Sequence, residues 1–132
     1  MISTMMDVPL SLNQFLERAG KLFADQEIVS RLPDKSLRTH TYGEYYRRTR
    51  ALASALQQLG IQKGDRVATL CWNHHAHLEC YFGIPAAGAV MHTLNLRLSP
   101  AELGSSPAVL HTLRLAHPTQ AAALISMPSL LM

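Results

Sequence analysis

The chain has 132 residues, of which 48% are hydrophobic, and a formal net charge of +3. This is enough for one domain with one core, and the charge is too small to indicate a nucleic-acid partner without a clustered basic patch. No apolar run approaches the roughly 18 residues of a membrane span. The amino terminus lacks the basic and apolar regions of a secretory signal, so its two cysteines favour a reduced, cytoplasmic setting.

The first elements predicted along the chain are a helix and a hairpin. Ser11 is a good N-cap, and we expect a helix over residues 11–24 followed by short strands over 27–31 and 37–40, joined by a turn at Pro33-Asp34. Apolar residues recur at helical spacing in the first segment and predict its buried face: Leu12, Phe15, Leu16, Ala19 and Phe23.

A second helix begins after Thr41. Thr41 and Glu44 form a capping-box pattern, and Gly60 stands where a C′ glycine ends a helix. Apolar or small residues three and four apart predict one buried stripe along it: Tyr45, Thr49, Leu52, Leu56 and Leu59.

The segment from Gly60 to Leu98 has the pattern of a βαβ unit with parallel strands. Residues 67–70 and 89–94 are apolar runs of strand length, and the helix between them has Asn73 as its expected cap. We expect the apolar face of that helix to comprise Ala76, Leu78, Tyr81 and Phe82, and Pro85 to kink or end it. Ser99-Pro100 is a helix start, and residues 104–107 break it after about one turn.

Four motifs follow one another along the chain: the strand at residues 27–31, Thr41-Tyr42-Gly43-Glu44-Tyr45, Gly64-Asp65-Arg66-Val67, and Gly88 to Leu98. In this order they resemble the N-terminal end of an AMP-forming acyl-CoA synthetase of the adenylate-forming superfamily. The match covers Asp7 to Leu103 and is nearest to the medium- and long-chain fatty-acid–CoA ligases.

This resemblance implies an α/β fold: a partial Rossmann-like N-terminal subdomain, with helices on a small mixed sheet and a poorly determined C-terminal tail. In that family a carboxylate and ATP give an acyl-adenylate, and coenzyme A then displaces AMP, with Mg²⁺ as the metal. The groups that do this lie beyond the matched region. Here no glycine-rich phosphate loop is present and no lysine follows Lys63. We therefore expect no catalytic, cofactor-binding or metal-binding residues in this chain, and no ligation by it alone.

A change in composition predicts a domain boundary. All nine acidic residues lie between Asp7 and Glu102, and beyond Gly104 the only Asp, Glu, Lys or Arg is Arg114. We assign residues 1–103 to the ligase subdomain and residues 104–132 to a tail that is not family sequence, as in a truncated or frameshifted product. For residues 110–132, disorder or loose helix is favoured over an amphipathic surface segment.

One run of residues offers an alternative function, a small His/Cys metal-binding protein. It contains six potential ligands, in which pairs three or four apart share a helix face: Cys71, His74, His75, His77, Glu79 and Cys80. The competing interpretation, which we favour, is a solvated face of His and Glu with the two cysteines buried as small apolar residues.

Two further patterns have ordinary explanations. Three arginines lie near three tyrosines, a pattern that could suggest a helix that binds nucleic acid: Arg47, Arg48 and Arg50, with Tyr42, Tyr45 and Tyr46. We favour an ordinary amphipathic helix with exposed arginines, in which Glu44 and Arg48, four residues apart, form a stabilising pair. Asp65 is interpreted as a turn residue before a strand rather than as an acid–base group.

The expected fold leaves part of its surface without a partner. A subdomain that lacks its later strands should have a free sheet edge and exposed apolar side chains. We expect self-association, or binding to a full-length ligase through that edge, as an interaction or decoy fragment; no nucleic acid and no membrane span are expected.

Overall fold

The computed structural model describes residues 11–32, 34–105 and 123–126. The elements, numbered in chain order, are α1 (Leu12–Leu22), β1 (Glu27–Arg31), β2 (Leu37–Thr41), α2 (Tyr42–Gln58), β3 (Arg66–Leu70), α3 (His75–Ala86), β4 (Val90–Thr93), α4 (Pro100–Ser105) and β5 (Ala123–Ser126). In the parts of the chain just named, no helix is long and apolar enough to cross a membrane.

The strands form two separate sheets. Strands β1 and β2 pair antiparallel as a hairpin, in which Ile28 lies opposite His40. The second sheet has the order β4-β3-β5, and both of its pairings are parallel. This arrangement confirms the α/β class and the predicted βαβ unit β3-α3-β4. Strand β5 lies within residues 110–132, so the prediction of disorder or loose helix is wrong for Ala123–Ser126. Residues 106–122 and 127–132 lie outside the described residues.

The predicted caps of α1 and α2 are confirmed. The Ser11 hydroxyl accepts a hydrogen bond from Asn13 N, and the Thr41 hydroxyl accepts one from Glu44 N at 3.2 Å. Gly60 has a φ of +91°, and the following Ile61 donates its N–H back to Leu56 O, which is the glycine-dependent ending expected of α2. Pro33 lies outside the described residues, and the Asp34 carboxylate closes the hairpin turn on Ser36 N.

The predicted buried faces are only partly correct. In α1 Leu16 is buried, but Phe15 is 67% exposed, and Leu12 and Phe23 are also exposed. In α2 the stripe ends at Leu56, because Leu59 follows the last turn and is 74% exposed. The uncovered residues of α1 agree with the expectation of exposed apolar surface.

Helix α3 differs most from its prediction. It is buried around much of its circumference, because α1 and α2 pack on it from one side and β3 and β4 from the other. Tyr81, predicted to be buried, is exposed, whereas Cys80 and Ile84 form part of the core. Pro85 lies inside the last turn and the helix ends at Ala86, so the prediction of an end near Pro85 is confirmed.

Helix α4 begins as predicted. The Ser99 hydroxyl accepts a hydrogen bond from Glu102 N, and the Glu102 carboxylate in turn accepts one from Ser99 N at 2.8 Å. This is a reciprocal capping box with Pro100 as the first helical residue.

Candidate functional site at the amino end of helix α3

The carboxyl end of β3 and the first turn of α3 are where a βαβ fold most often binds an anionic ligand. The N–H groups of a first helical turn point outward there, and the helix dipole favours negative charge. In this chain the connection runs from Cys71 to His74 and contains no glycine. Four histidines surround it: His40, His74, His75 and His77.

His74, rather than Asn73, caps the helix. Its Nδ1 accepts the hydrogen bond of Ala76 N at 3.1 Å, and its Nε2 lies 3.6 Å from Cys71 Sγ. Since Nδ1 accepts, the ring proton is on Nε2 and points towards the sulfur. The prediction that Asn73 caps the helix is wrong; its side-chain oxygen instead accepts a hydrogen bond from His77. The cap functions only while the His74 imidazole is neutral.

His77 is buried between β3 and its own helix. Its Nδ1 lies 3.0 Å from Asn73 Oδ1, and its Nε2 lies 3.2 Å from Thr69 Oγ1. Because an amide oxygen only accepts, Nδ1 carries the proton and the Thr69 hydroxyl donates to Nε2. Both ring nitrogens therefore have partners, as buried polar groups require. Burial lowers the pKa of His77.

His75 and His40 form a ring contact between α3 and the hairpin. Their ring centroids are 5.5 Å apart in an edge-to-face arrangement, and the two residues are 9% and 5% exposed. Both ring nitrogens of His40 and Nδ1 of His75 have no hydrogen-bond partner. The burial of His75 and His77 contradicts the interpretation of this run as a solvated face.

Glu79 contradicts that interpretation as well. It is 7% exposed, and its carboxylate binds the guanidinium of Arg48 with both oxygens, at 2.6 Å and 3.3 Å. The ion pair joins α2 to α3, so Arg48 pairs across the helix interface rather than with Glu44 in its own helix. The hydrogen bond to Glu79 raises the pKa of Arg48.

The two cysteines are buried as expected. Burial raises the pKa of Cys71, and it raises the pKa of Cys80 to about 11. Both thiols are therefore protonated near neutral pH and are poor metal ligands, since a metal binds the thiolate. Among the residues that the structure describes, no group of three or more His, Cys, Asp or Glu side chains could hold a metal ion.

The remaining sequence candidates have structural contacts. Arg50 donates hydrogen bonds to Glu17 and to the Tyr46 hydroxyl, so two of the three clustered arginines are engaged within the chain. Asp65 accepts a hydrogen bond from Gln62 N at 2.7 Å, and its carbonyl accepts one from Val90 N. The interpretation of Asp65 as a turn residue is confirmed.

The amino end of α3 does not fit a nucleotide phosphate. A phosphate cradle needs converging free N–H groups on a glycine-rich loop. Here the connection contains no glycine, the Ala76 N–H is already bound by the His74 side chain, and the buried ring of His75 lies in the same turn. No step involving ATP, Mg²⁺ or coenzyme A can be derived from these residues.

The sequence matches the AMP-binding enzyme family over residues 16–110. The chain belongs to this family. The long-chain-fatty-acid–CoA ligase of Thermus thermophilus is 54% identical to this chain over 101 residues, which are 76% of the chain and 19% of that ligase. The resemblance to acyl-CoA ligases is thus confirmed.

Solved structures of the family share the fold. An anthranilate CoA ligase, AuaEII in complex with anthranoyl-AMP, has a TM-score of 0.62 at 28% identity, over 73% of this chain and 18% of that one. The N-terminal subdomain of Klebsiella oxytoca NpsA in complex with anthranilyl-AMSN has a TM-score of 0.63 at 25% identity, over 77% of this chain and 25% of that one. The chain spans about a fifth of the length of the long-chain ligase that it matches.

The histidine-rich run is recognisable in the sequence, but its histidines and Glu79 have contacts that differ from those expected. The cap by His74 and the contact between His40 and His75 depend on where β3 ends and on where the hairpin packs. Only the spacing of Asn73 and His77, four residues apart on one helical turn, was a local signal for one of these bonds.

Proposed function

We propose that this chain is the N-terminal part of a fatty-acid–CoA ligase and that it forms neither acyl-adenylate nor acyl-CoA alone. The observation that carries the proposal is the 54% identity with a long-chain-fatty-acid–CoA ligase over a segment that makes up 19% of that enzyme. The amino end of α3 supports the second half of the proposal, because its connection contains no glycine and the Ala76 N–H is already bound by the His74 side chain. In this role the βαβ unit is scaffold for a site built by the rest of a ligase that uses ATP, Mg²⁺ and coenzyme A. The two free thiols favour a cytoplasmic setting.

An AMP-release assay tests this function. The purified chain is incubated with medium- and long-chain fatty acids, ATP and Mg²⁺, and the full-length Thermus ligase is the positive control. We expect AMP formation by the control and none above the no-enzyme blank for this chain. Fatty-acid-dependent AMP formation by the chain, lost on heat denaturation, would contradict the proposal.

A second candidate function is binding to the remainder of a ligase. Helices α1, α2 and α3 enclose a groove of about 350 Å³, which we call the aromatic groove; its walls include Phe15, Phe23, Leu78 and Phe82. An apolar groove with exposed aromatic side chains favours a protein partner. The occupant that we propose is an apolar face of the ligase polypeptide outside the matched segment, since this chain covers only 19% of its relative. Strand β4, paired on one side by β3 within the described residues, offers the sheet edge as a second contact.

Co-purification tests the binding. The chain is co-expressed with a tagged Thermus ligase lacking the segment that matches it, and the recovered complex is quantified. We expect capture of the unmodified chain, a loss of at least about tenfold for Phe15→Asp because a charge would be buried in the aromatic groove, and little change for Val29→Asp. Val29 is the matched control because it is 58% exposed on the hairpin and is not part of the groove. Equal recovery of the two variants, or no capture at all, would remove this candidate.

A further inference from the structure

The contact between His40 and His75 joins two parts of the fold that have few other connections. His40 lies on β2 and His75 in the first turn of α3, and the rings meet edge to face at 5.5 Å. Their three unpartnered ring nitrogens are among five buried side-chain atoms without a hydrogen-bond partner in the described residues. Such atoms in a folded protein require an explanation. A neutral imidazole can remain in this position at modest cost, whereas an imidazolium would bring an uncompensated charge into the contact.

Most of the charges around this contact disfavour protonation of His75. On β2, Arg38 acts on His75; on α3, His74 is adjacent and the positive end of the helix dipole lies at the same turn. The hairpin partner β1 places its charged residues, Glu27 and Arg31, at exposed strand ends. Glu79 of α3 is the one carboxylate that attracts a proton to His75, but it is already neutralised by Arg48 of α2.

His74 adds a second group that must stay neutral. Its ring is 5.2 Å from that of His75, and protonation would place a hydrogen on Nδ1, facing the Ala76 N–H that it now accepts. The helix would lose its cap at the same turn where the hairpin is attached. Acid therefore affects both the contact and the helix end.

We propose that the ring contact of His40 with His75, together with the neutral imidazoles of His74 and His75, forms an acid-sensitive attachment of the β1–β2 hairpin to α3. When the pH falls, the rings of His74 and His75 take up protons in the open form, and the hairpin separates from α3. Strands β3 and β4 and the α2–α3 interface remain folded, because most of their core is apolar: Ala53, Leu56, Val67 and Ile84 among others. His77 is a titratable group in this part of the fold, and it differs from His40 and His75 in that both of its ring nitrogens have hydrogen-bond partners, on Thr69 and Asn73. Histidine clusters that charge between pH 5 and 7 are a known physical basis for such switching.

The direction of the pH effect follows from the pKa values. Burial is the largest cause that lowers the pKa of both His74 and His75 below the ordinary value of 6.5. The open form, in which the rings are solvated, therefore binds protons first as the pH falls. The attachment is fully present above pH 6.5 and is lost progressively below it. Each histidine that stays neutral in the closed form increases the opening equilibrium constant about tenfold between pH 7.5 and 5.5.

Amide hydrogen exchange at pH 7.5 and 5.5, corrected for intrinsic rates, tests the proposal. We expect the hairpin and the first turn of α3 to lose protection by about tenfold or more at pH 5.5, and α2, β3 and β4 to keep theirs. The His40→Phe/His75→Phe variant retains two rings without titrating nitrogens, so its hairpin protection should depend much less on pH. His92→Phe, on β4, is the matched control and should respond as the unmodified chain does.

Three results would overturn the proposal. These are an unchanged hairpin protection in the unmodified chain, an equal pH response in the double variant, or a loss of protection spread evenly over all elements. Should the double variant fail to fold, an NMR titration of the histidine ring protons in the unmodified chain decides the question, because a His75 pKa at or above 6.5 contradicts the mechanism. Zn²⁺ is added at pH 7.5 as a separate arm, and protection of the hairpin by Zn²⁺ would show that the ring nitrogens bind metal instead.

Discussion

Replacing Ile84 with alanine is expected to lower the free energy of unfolding by about 2–5 kcal/mol, the usual cost of truncating a fully buried aliphatic side chain. Ile84 is 0% exposed and lies at the centre of the core between α2, α3 and the parallel sheet, where it belongs to one cluster with Leu56, Ile61 and Val67. Single domains are stable by only about 5–15 kcal/mol. We expect a chain with exposed apolar side chains such as Phe15 and Leu22 to lie near the lower end of that range, so this one substitution should unfold a large part of the population.

Urea unfolding followed by far-UV circular dichroism measures the effect. Ile84→Val, which removes one methyl group, should cost about 0.5–1.5 kcal/mol and gives a value even if the alanine variant is unfolded in water. Val90→Ala is the control, because Val90 is 52% exposed on the edge strand β4 and its truncation should change stability by about 0.5 kcal/mol. A stability loss for Ile84→Ala no larger than that of the control would contradict the packing of the core.

Local sequence signals predicted the elements well, because caps and turns depend on neighbouring residues. Ser11, Thr41 and Ser99 cap the helices that they were expected to start, and Gly60 ends α2 with a positive φ. The parallel pairing of β3 and β4 followed from two apolar runs separated by a helix of suitable length. The same patterns identified the family, and the match to residue 110 extends a little past the expected boundary at Leu103.

Burial was harder to predict, because periodicity shows which face can be covered but not what covers it. The stripe of α1 is regular, yet Phe15 is exposed since no described element lies over it. The reverse holds for α3, where polar His75, His77 and Glu79 are buried. Each is accommodated by a residue distant in sequence or in the preceding strand: His40, Thr69 and Arg48. These pairings depend on the packing of whole helices and strands, which no local pattern encodes.

The motifs that the sequence predicts and the buried histidine contacts that it does not predict have different roles in the proposed function. Residues 41–98 contain three of the four family motifs and have the expected fold. At the helix end where a βαβ unit would bind phosphate, the His74 side chain binds the Ala76 N–H. The motif residues therefore stabilise the backbone conformation. Asp65, for example, accepts a hydrogen bond from Gln62 N with its carboxylate and one from Val90 N with its carbonyl. In the proposed ligase that geometry supports a site made by other parts of the polypeptide, and the aromatic groove on α1 is the surface most suited to contact them.

Replacing Gly20 with alanine is expected to destabilise α1 and, with it, the aromatic groove. A methyl group at position 20 would lie 2.6 Å from Tyr46 Cβ and 2.7 Å from Tyr46 Cδ2, and Cβ cannot move away by a simple rotation of the side chain. Alanine should favour the helix by about 1 kcal/mol over glycine, while overpacking costs about 1–3 kcal/mol. We expect the clash to dominate, since α1 must shift away from α2 and weaken the contacts of Glu17 with Tyr46 and Arg50.

Gly43→Ala separates the gain in helix propensity from the cost of the clash. Gly43 is also helical, but its added methyl group would lie 3.3 Å from the nearest atom, Ala24 Cβ. The Gly43→Ala substitution should therefore change the free energy of unfolding very little. In a double-mutant cycle, Tyr46→Gly removes the obstructing side chain, so Gly20→Ala should cost about 1–2 kcal/mol less in its presence. Hydrogen exchange should report the loss of protection in α1, and capture of the ligase remainder should weaken in parallel because α1 forms one wall of the groove. A stabilised Gly20→Ala variant, or a cycle without coupling, would show that α1 does not pack on α2 as closely as the structure has it.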